Sequence, residues 1–230
     1  MKLKNNRRNF LKSGALLAPA LFLGKASDVM ANDTSEQQTS IWEVFKSRRS
    51  VRKYKPVPVP QEHIEQILQA AASSPTAGNQ QPWKFLVLND AGVIQNLHKA
   101  CIERAEEYFK SQNFSPEEFE DKMTGTKEYY ENIFAAPVFV LVLTDGETKY
   151  PDYNHWDGPL AAGYLLLAAR ALGYATVHFT DSIPDEITKK VLNIPDRYTR
   201  VCITPIGIPQ EWPESPQKKE LKEMVSYNSI

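Results

Sequence analysis

The spacing of hydrophobic positions predicts a domain that mixes helices and strands and begins at Ile41. Apolar residues recur with helical periodicity at 41–45 and again at 61–72, which indicates two amphipathic helices. The segments 84–88 and 136–143 are runs of apolar and β-branched residues, and the longer run predicts a strand covered on both faces. At 230 residues the chain fits one domain with a full core.

The second half of the chain contains a segment that is almost wholly apolar. It runs from Leu160 to Leu172 and ends at Gly173, so it predicts a helix that is buried all round and indicates a subunit interface. The segment 174–181 is predicted to be a strand and turn, and 201–204 the last core strand.

The region between Lys99 and Tyr130 is charged and aromatic. Its pattern is that of two amphipathic surface helices separated by a break at Ser115 and Pro116.

The first residues have the composition of an export signal. Arg7 and Arg8 precede a weakly hydrophobic run, and small residues ending at Ala31 form an A-x-A-like cleavage site. The run is too short to span a bilayer and contains Pro19. The paired arginines resemble a twin-arginine export signal, and a general secretory signal with two arginines is the alternative.

The predicted signal divides the chain into three parts. We predict a twin-arginine signal peptide at 1–31, a polar linker at 32–40 and the folded domain at 41–230. The predicted location is periplasmic or otherwise extracytoplasmic, with no stable membrane insertion after the signal is removed.

Charge and metal-ligand spacing exclude two classes of function. Residues 1–31 hold six basic residues and one acid, so the rest of the chain carries a net charge of −6, which argues against nucleic-acid binding. The four histidines are scattered and predict no metal site. Cys101 and Cys202 could pair in an exported protein, but their apolar surroundings favour core residues.

The basic segment 47–54 has the composition of a phosphate clamp. Arg48, Ser50 and Arg52 alternate, so an extended backbone points them to one side. A guanidinium presents a fork of N–H donors that matches two phosphate oxygens. The alternative interpretations are a solvated basic turn, or a peptide- or lipid-facing patch of an exported interaction module.

A polar loop follows the helix predicted at 61–72. The loop, 73–83, is dense in hydroxyls and amides and leads directly into a strand. The amide of Asn79 offers one acceptor and two donors, which suits a flat heterocycle with adjacent C=O and N–H groups. A capped helix end followed by a proline-containing turn is the alternative.

The clamp and the loop together resemble the nitroreductase family of flavin-dependent oxidoreductases, over residues 41–228. The motifs are Arg48-Arg49-Ser50-x-Arg52-x-Tyr54 and Ser74-Pro75-Thr76-x-x-Asn79-x-Gln81-Pro82-Trp83. This resemblance implies an α+β fold, a three-layer α/β sandwich whose central, mostly antiparallel sheet is flanked by helices. It also implies an intertwined homodimer with FMN between the subunits.

The resemblance also implies roles for individual residues. Arg48, Ser50 and Arg52 would hold the FMN phosphate, and Arg49 would lie beside the ring through its backbone. Lys218 stands where the family usually has arginine, so it keeps the charge and loses the bidentate fork.

Other positions would lie around the flavin ring. Pro75, Thr76 and Asn79 would border the isoalloxazine. Thr180 stands where some family members place a hydroxyl near flavin N5, which would favour one-electron steps. A turn hydroxyl that caps the following residues is the alternative for Thr180. In this family the region 99–130 forms a cover over the flavin and sets substrate choice.

The implied function is an exported FMN-dependent oxidoreductase. It would reduce an electron-poor small molecule, nitroaromatic- or quinone-like, by ping-pong flavin chemistry. The reductant would be NAD(P)H or an unknown extracytoplasmic donor, because NAD(P)H is not expected outside the cytoplasm. The alternatives are a reductive dehalogenase of the iodotyrosine deiodinase type, flavin destruction on the same fold, and a flavin-binding protein without catalytic activity.

Overall fold

The structure is a computed structural model, and it describes residues 40–230. The signal predicted at 1–31 and all but the last residue of the linker predicted at 32–40 lie outside the described residues. No helix among the described residues combines the length and the apolar character needed to cross a membrane.

The described chain contains six α-helices, five strands and three short 3₁₀ turns. In chain order the helices and strands are α1 Ile41–Ser47, β1 Tyr54–Lys55, α2 Gln61–Ala72, β2 Trp83–Leu88, α3 Ala91–Lys110, α4 Pro116–Phe134, β3 Val138–Asp145, α5 Asn154–Ala171, α6 Asp185–Leu192, β4 Tyr198–Ile206 and β5 Ile208–Pro209. The 3₁₀ turns are Ala77–Asn79, Pro151–Tyr153 and Leu221–Glu223.

The central sheet is antiparallel, with strand order β2-β3-β4. Leu141 of β3 pairs with Leu86 of β2 on one side and with Ile203 of β4 on the other. A second, two-stranded sheet joins β1 to β5, with Tyr54 opposite Pro209.

Helices cover both faces of β3, which is why the apolar run has no alternation. One set of its side chains, including Leu141, packs with residues of α3 and α4 such as Leu97 and Ile133. The other set, including Val140, packs with residues of α2 and α5 such as Ile67 and Leu165. Full burial of one such side chain contributes roughly 1.5–3 kcal/mol. The predicted three-layer arrangement around an antiparallel sheet is confirmed.

The helices predicted from periodicity agree closely with the structure. α2 has the predicted bounds, and its buried residues include Ile64 and Ile67. The break between α3 and α4 also lies where it was predicted. Ser115 is the N-cap of α4, its side chain and that of Glu118 form a capping box, and Pro116 occupies the first turn.

The prediction that the apolar helix is buried all round is wrong for a single chain. Ala161, Leu165 and Ala169 of α5 are buried, but Leu160 and Tyr164 are 44% and 41% exposed. The helix packs on the sheet and on α2, and Nε of Arg170 near its end donates to the hydroxyl of Ser47 in α1, whereas Leu160 and Tyr164 remain exposed in the described part of the chain.

The segment predicted as a strand at 174–181 makes isolated bridges instead of a continuous ladder. Ala175 bridges Gly207 and Phe179 bridges Ile203, both antiparallel, while Thr176 bridges Ser50 in parallel. The segment therefore lies between the end of β4 and the basic segment 47–54.

The two cysteines are core residues, as predicted. Cys101 and Cys202 are both buried and unpaired. Burial raises the pKa of each thiol to about 12.

Candidate functional site

The basic segment is held in an extended conformation by two buried residues. The N–H of Val51 donates to the carbonyl of Thr176 at 3.0 Å. The buried Tyr54 donates its hydroxyl hydrogen to the Val51 carbonyl at 2.8 Å. Val51 and Tyr54 are buried, whereas Ser50, Arg52 and Lys53 are exposed, so the strict alternation of an extended strand holds for residues 50–52 and ends before Tyr54.

Five predicted site residues meet at one cavity of about 670 Å³. They are Arg48, Arg49, Ser50, Arg52 and Lys218. The cavity is also lined by one acid, Glu214. The three arginines and Lys218 form no ion pairs within the part of the chain that the structure describes. The cavity therefore carries uncompensated positive charge and suits an anion.

The three arginines differ in how their donors are used. The Nη1 of Arg49 donates to the carbonyls of Lys46 and Arg48 at 2.6 and 2.9 Å, so this guanidinium caps the end of α1. Arg52 donates to the carbonyl of Ser50 across a longer 3.4 Å. The side chain of Arg48 makes no hydrogen bond with the described residues. Arg48 and Arg52 thus keep most of their donors for a ligand.

The polar loop is locked to the start of α5 by a buried carboxylate. Asp157 accepts hydrogen bonds from the N–H of Ala77 at 3.0 Å and from Nε2 of Gln80 at 2.8 Å. Gln80 also accepts from the N–H of Tyr150 at 2.8 Å and donates to its carbonyl at 3.0 Å. Sequence reasoning missed this network, although Asp157 is the one acid of α5.

These hydrogen bonds hold the loop in a left-handed backbone conformation that is unfavourable by itself. Gly78, Asn79 and Gln81 have φ values of 55°, 57° and 49°, in the left-handed region. Thr76 accepts a hydrogen bond from the N–H of Gln81 at 3.2 Å. Residues held in this conformation by their surroundings are common where a ligand binds.

The ring-contact residues predicted in this loop lie at its surface. Pro75 and Asn79 are exposed, and the Asn79 side chain forms no hydrogen bond with the described residues. Beside them the hydroxyl of Ser74 is buried and has no partner in the described part of the chain. The loop therefore presents an amide that its own fold leaves available.

Thr180 lies at the end of the extended segment that pairs with the basic residues. It is exposed, and its hydroxyl donates to Asp181 Oδ2 at 3.2 Å, not to the backbone of the residues that follow. Thr176 bridges Ser50, and four residues of extended chain, about 13 Å, separate Thr176 from Thr180. This segment therefore connects the basic cavity to the predicted reactive position.

The single chain does not bring all the predicted site residues into one cavity. None of Pro75, Thr76, Asn79 and Thr180 lines the basic cavity. Among the described residues no group of three or more acidic, histidine or cysteine side chains is arranged to hold a metal ion.

Comparison with known proteins identifies the class of protein. Residues 45–208 match the Nitroreductase family, and the chain belongs to that family. The "Iodotyrosine deiodinase" of Thermotoga neapolitana is 27% identical over 192 residues, which are 83% of this chain and 98% of that protein.

Two solved structures have the same fold. The structure of oxidized iodotyrosine deiodinase bound to FMN and 3-iodo-L-tyrosine matches with a TM-score of 0.65 and 26% identity, over 83% of this chain and 100% of that chain. An FMN-dependent nitroreductase from Clostridium difficile matches with a TM-score of 0.62 and 26% identity, over 82% of this chain and 99% of that chain. The predicted family and fold are confirmed.

Proposed function

We propose that this protein is an exported oxidoreductase that uses FMN to reduce an electron-poor small molecule, nitroaromatic- or quinone-like. Its membership of the nitroreductase family and its FMN-containing relatives identify it as an FMN-dependent oxidoreductase. The export, the substrate class and the residue roles are the proposed part. The observation that carries the assignment of the site is the basic cavity, where several basic side chains and a single acid, Glu214, meet without forming an ion pair among the described residues.

The residues around the cavity fit the phosphate of FMN. Two guanidinium groups, those of Arg48 and Arg52, retain free donors, and the exposed hydroxyl of Ser50 lies between them in sequence. We propose that these three hold the phosphate and that Lys218 adds a point charge. Arg49 is used in capping α1, so its backbone would face the ring.

The loop and Thr180 fit the ring of the flavin. The unused amide of Asn79 would bind the polar edge of the isoalloxazine, and Pro75 and Thr76 would border the same edge. Thr180 offers both a hydroxyl and a backbone N–H to flavin N5. FMN, when bound, supplies the transfer of electrons between reductant and acceptor. The chain itself binds and orients the ring and places hydrogen-bond donors at N5.

A homodimer would complete the site. Apolar side chains are exposed on three elements of the described chain: Trp42 and Phe45 on α1, Leu160 and Tyr164 on α5, and Leu221, Met224 and Tyr227 in the C-terminal tail. Every residue of the tail from 210 to 230 is exposed. Association of two copies would cover these surfaces and could bring the loop of one protomer to the basic cavity of its partner.

We propose that the protein is exported by the twin-arginine route, on the basis of Arg7, Arg8 and the weakly hydrophobic run after them. The predicted boundaries, 1–31 for the signal, 32–40 for the linker and 41–230 for the domain, are part of this proposal. Replacement of Arg7 and Arg8 by lysine should leave the protein in the cytoplasmic fraction. Unchanged export of that variant would contradict the proposed route. The reductant would then be NAD(P)H or an extracytoplasmic donor, depending on the compartment.

A reductive dehalogenase of the iodotyrosine deiodinase type is the second candidate. The likeness to the Thermotoga neapolitana protein favours it, as does the exposed hydroxyl of Thr180. A hydroxyl hydrogen bond at N5 would favour one-electron steps. The two candidates differ in substrate and not in cofactor.

The deciding experiment starts with the visible spectrum of the purified protein and identification of the chromophore that heat releases. About one FMN per chain is expected. Turnover is then compared for a nitroaromatic, a quinone and 3-iodo-L-tyrosine, with NAD(P)H or dithionite as reductant. Reduction of the nitroaromatic or quinone supports the first candidate, and iodide release supports the second. Failure to reoxidise with every acceptor would contradict both and leave a flavin-binding protein without turnover.

A further inference from the structure

A buried arginine braces the turn that carries Thr180. Arg200 of β4 has a side chain that is only 3% exposed. Its Nη2 donates to the carbonyl of Thr180 at 2.6 Å, and its Nη1 donates to the carbonyl of Ile183 at 2.9 Å. Nη1 also donates to the Thr188 hydroxyl at 3.2 Å, and Nε lies 3.2 Å from Asp185 Oδ1. All four contacts are with residues 180–188.

Other contacts hold the same turn from the opposite sides. The hydroxyl of Tyr130 donates to the carbonyl of Ser182 at 2.8 Å. Phe179 exchanges two backbone hydrogen bonds with Ile203, at 3.1 and 3.0 Å, and Ile183 is fully buried. The carbonyls of the turn therefore point inward, toward Arg200 and Tyr130.

This arrangement determines what Thr180 presents outward. Its carbonyl is fixed by Arg200, and the residue before it is fixed by Ile203. Its backbone N–H donates to no group in the described part of the chain, and its hydroxyl reaches only the exposed Asp181. The backbone N–H of Thr180 is thus available at an orientation that its neighbours set, and the hydroxyl is held only by the exposed Asp181.

Burial of a guanidinium at a strand position is costly, and a well-packed apolar residue is often as stable or more stable there. Burial lowers the pKa of Arg200, whereas the nearby Asp185 raises it. Asp185 is partly exposed and balances the charge only in part. A brace of this kind is favoured where the precise orientation of a segment matters.

We propose that Arg200 is a positioning residue that sets the orientation of the Thr180 donors toward flavin N5. The inference rests on the proposed placement of Thr180 beside the flavin and names the residue that enforces it. Arg200 would act through Thr180, without contact with the substrate or the flavin.

The test compares Arg200→Gln and Arg200→Lys with Arg197→Gln. Arg197 is the control because it directly precedes the same strand β4 and its guanidinium pairs with Asp145 and Glu147, at 3.1 and 2.8 Å. Two quantities are measured in the full-length protein: amide hydrogen exchange of residues 179–183 with FMN removed, and the fraction of bound flavin that stops at the one-electron level during stepwise reduction.

For Arg200→Gln we expect exchange in the turn to rise and the one-electron fraction to change, each by about tenfold, because a charged hydrogen bond to the backbone is lost. In Arg200→Lys both the exchange rate and the one-electron fraction should lie between those of Arg200→Gln and the wild type, since lysine keeps the charge without the guanidinium fork. Thr180→Ala should change the one-electron fraction similarly, and the double variant should add little, because both residues act at one position.

Several outcomes would overturn the proposal. One is an Arg200→Gln variant with faster exchange and an unaltered flavin response, which would show that the brace is merely structural. Full additivity with Thr180→Ala, or equal effects from Arg197→Gln, would also contradict it. If Arg200→Gln does not fold, the same comparison is made with Arg200→Lys. A wild-type protein that binds no FMN would refute the proposed function, while the exchange data would still decide whether Arg200 holds the turn.

Discussion

The basic cavity and the polar loop differ in how their polar groups are satisfied. In the cavity, Arg48, Arg52 and Lys218 form no ion pair with an acid among the described residues. In the loop, Gln80 and the backbone of Ala77 are hydrogen-bonded to the buried Asp157. The cavity is therefore arranged to receive an anion from outside the chain. The loop is shaped by its own chain before any ligand binds, which reduces the cost of ordering it around a ring.

The largest effect is expected from removal of the cavity charges. An Arg48→Ala, Arg52→Ala double variant should bind FMN about 10²- to 10⁴-fold more weakly, because each lost charged hydrogen bond contributes about 1.5–3 kcal/mol. Titration of the flavin-free protein with FMN measures this. The matched control is Arg197→Ala, since Arg197 is paired with Asp145 and Glu147 and is not part of the cavity. Equal affinity in wild type and the double variant would rule out the phosphate assignment.

The next effect tests whether the loop depends on its internal lock. Asp157→Ala should lower the free energy of unfolding by about 2–4 kcal/mol, because it leaves the Ala77 N–H and the Gln80 amide without their buried acceptor. Denaturant unfolding of the flavin-free protein measures the change. Asp152→Ala is the control, since Asp152 is exposed in the neighbouring 3₁₀ turn. A loss of stability that is the same for both variants would mean that the loop is not locked through Asp157.

The sequence shows the basic segment clearly, but it does not show the hydrogen bonds that Asp157 makes to the loop. The alternation of Arg48, Ser50 and Arg52 was visible in the sequence and predicted a phosphate clamp, because it is a local pattern. The family and the FMN cofactor followed from the linked motifs and are confirmed by the comparisons. The role of Asp157 was not predicted, because its partner Gln80 is 77 positions away.

A smaller effect distinguishes backbone strain at Gly78 from the helix propensity of Gly125. Gly78→Ala should destabilise the protein by about 1–2 kcal/mol, because an alanine pays for the left-handed backbone that glycine tolerates. Its Cβ would also lie 2.6 Å from the ring of Tyr150. Gly125→Ala in α4 has open space around the new methyl group and should stabilise by about 1 kcal/mol. Thermal unfolding of both variants checks that the two changes in stability have opposite signs. Unchanged stability of Gly78→Ala would show that the loop is not constrained at this position.

The smallest effect tests whether Lys218 contacts the phosphate of FMN in the cavity. Lys218→Arg should tighten FMN binding about two- to fivefold, because a guanidinium can contact the phosphate with two donors. Lys219→Arg, one position along the exposed tail and outside the cavity lining, should have no effect. FMN titrations at low salt compare the two. A tighter complex for both variants alike would indicate a general effect of charge and not a contact of Lys218.

Local sequence patterns determined the elements and the chemical class of this protein. Periodicity placed α2, the buried strand β3 and the break before Pro116, since these depend on residues a few positions apart. Tertiary structure alone decided which polar groups are satisfied. It joined Asp157 to the loop, placed Arg200 behind Thr180, and left Leu160 and Tyr164 of α5 exposed. Those contacts join residues from different parts of the chain, so no local pattern of hydrophobic and polar positions specifies them.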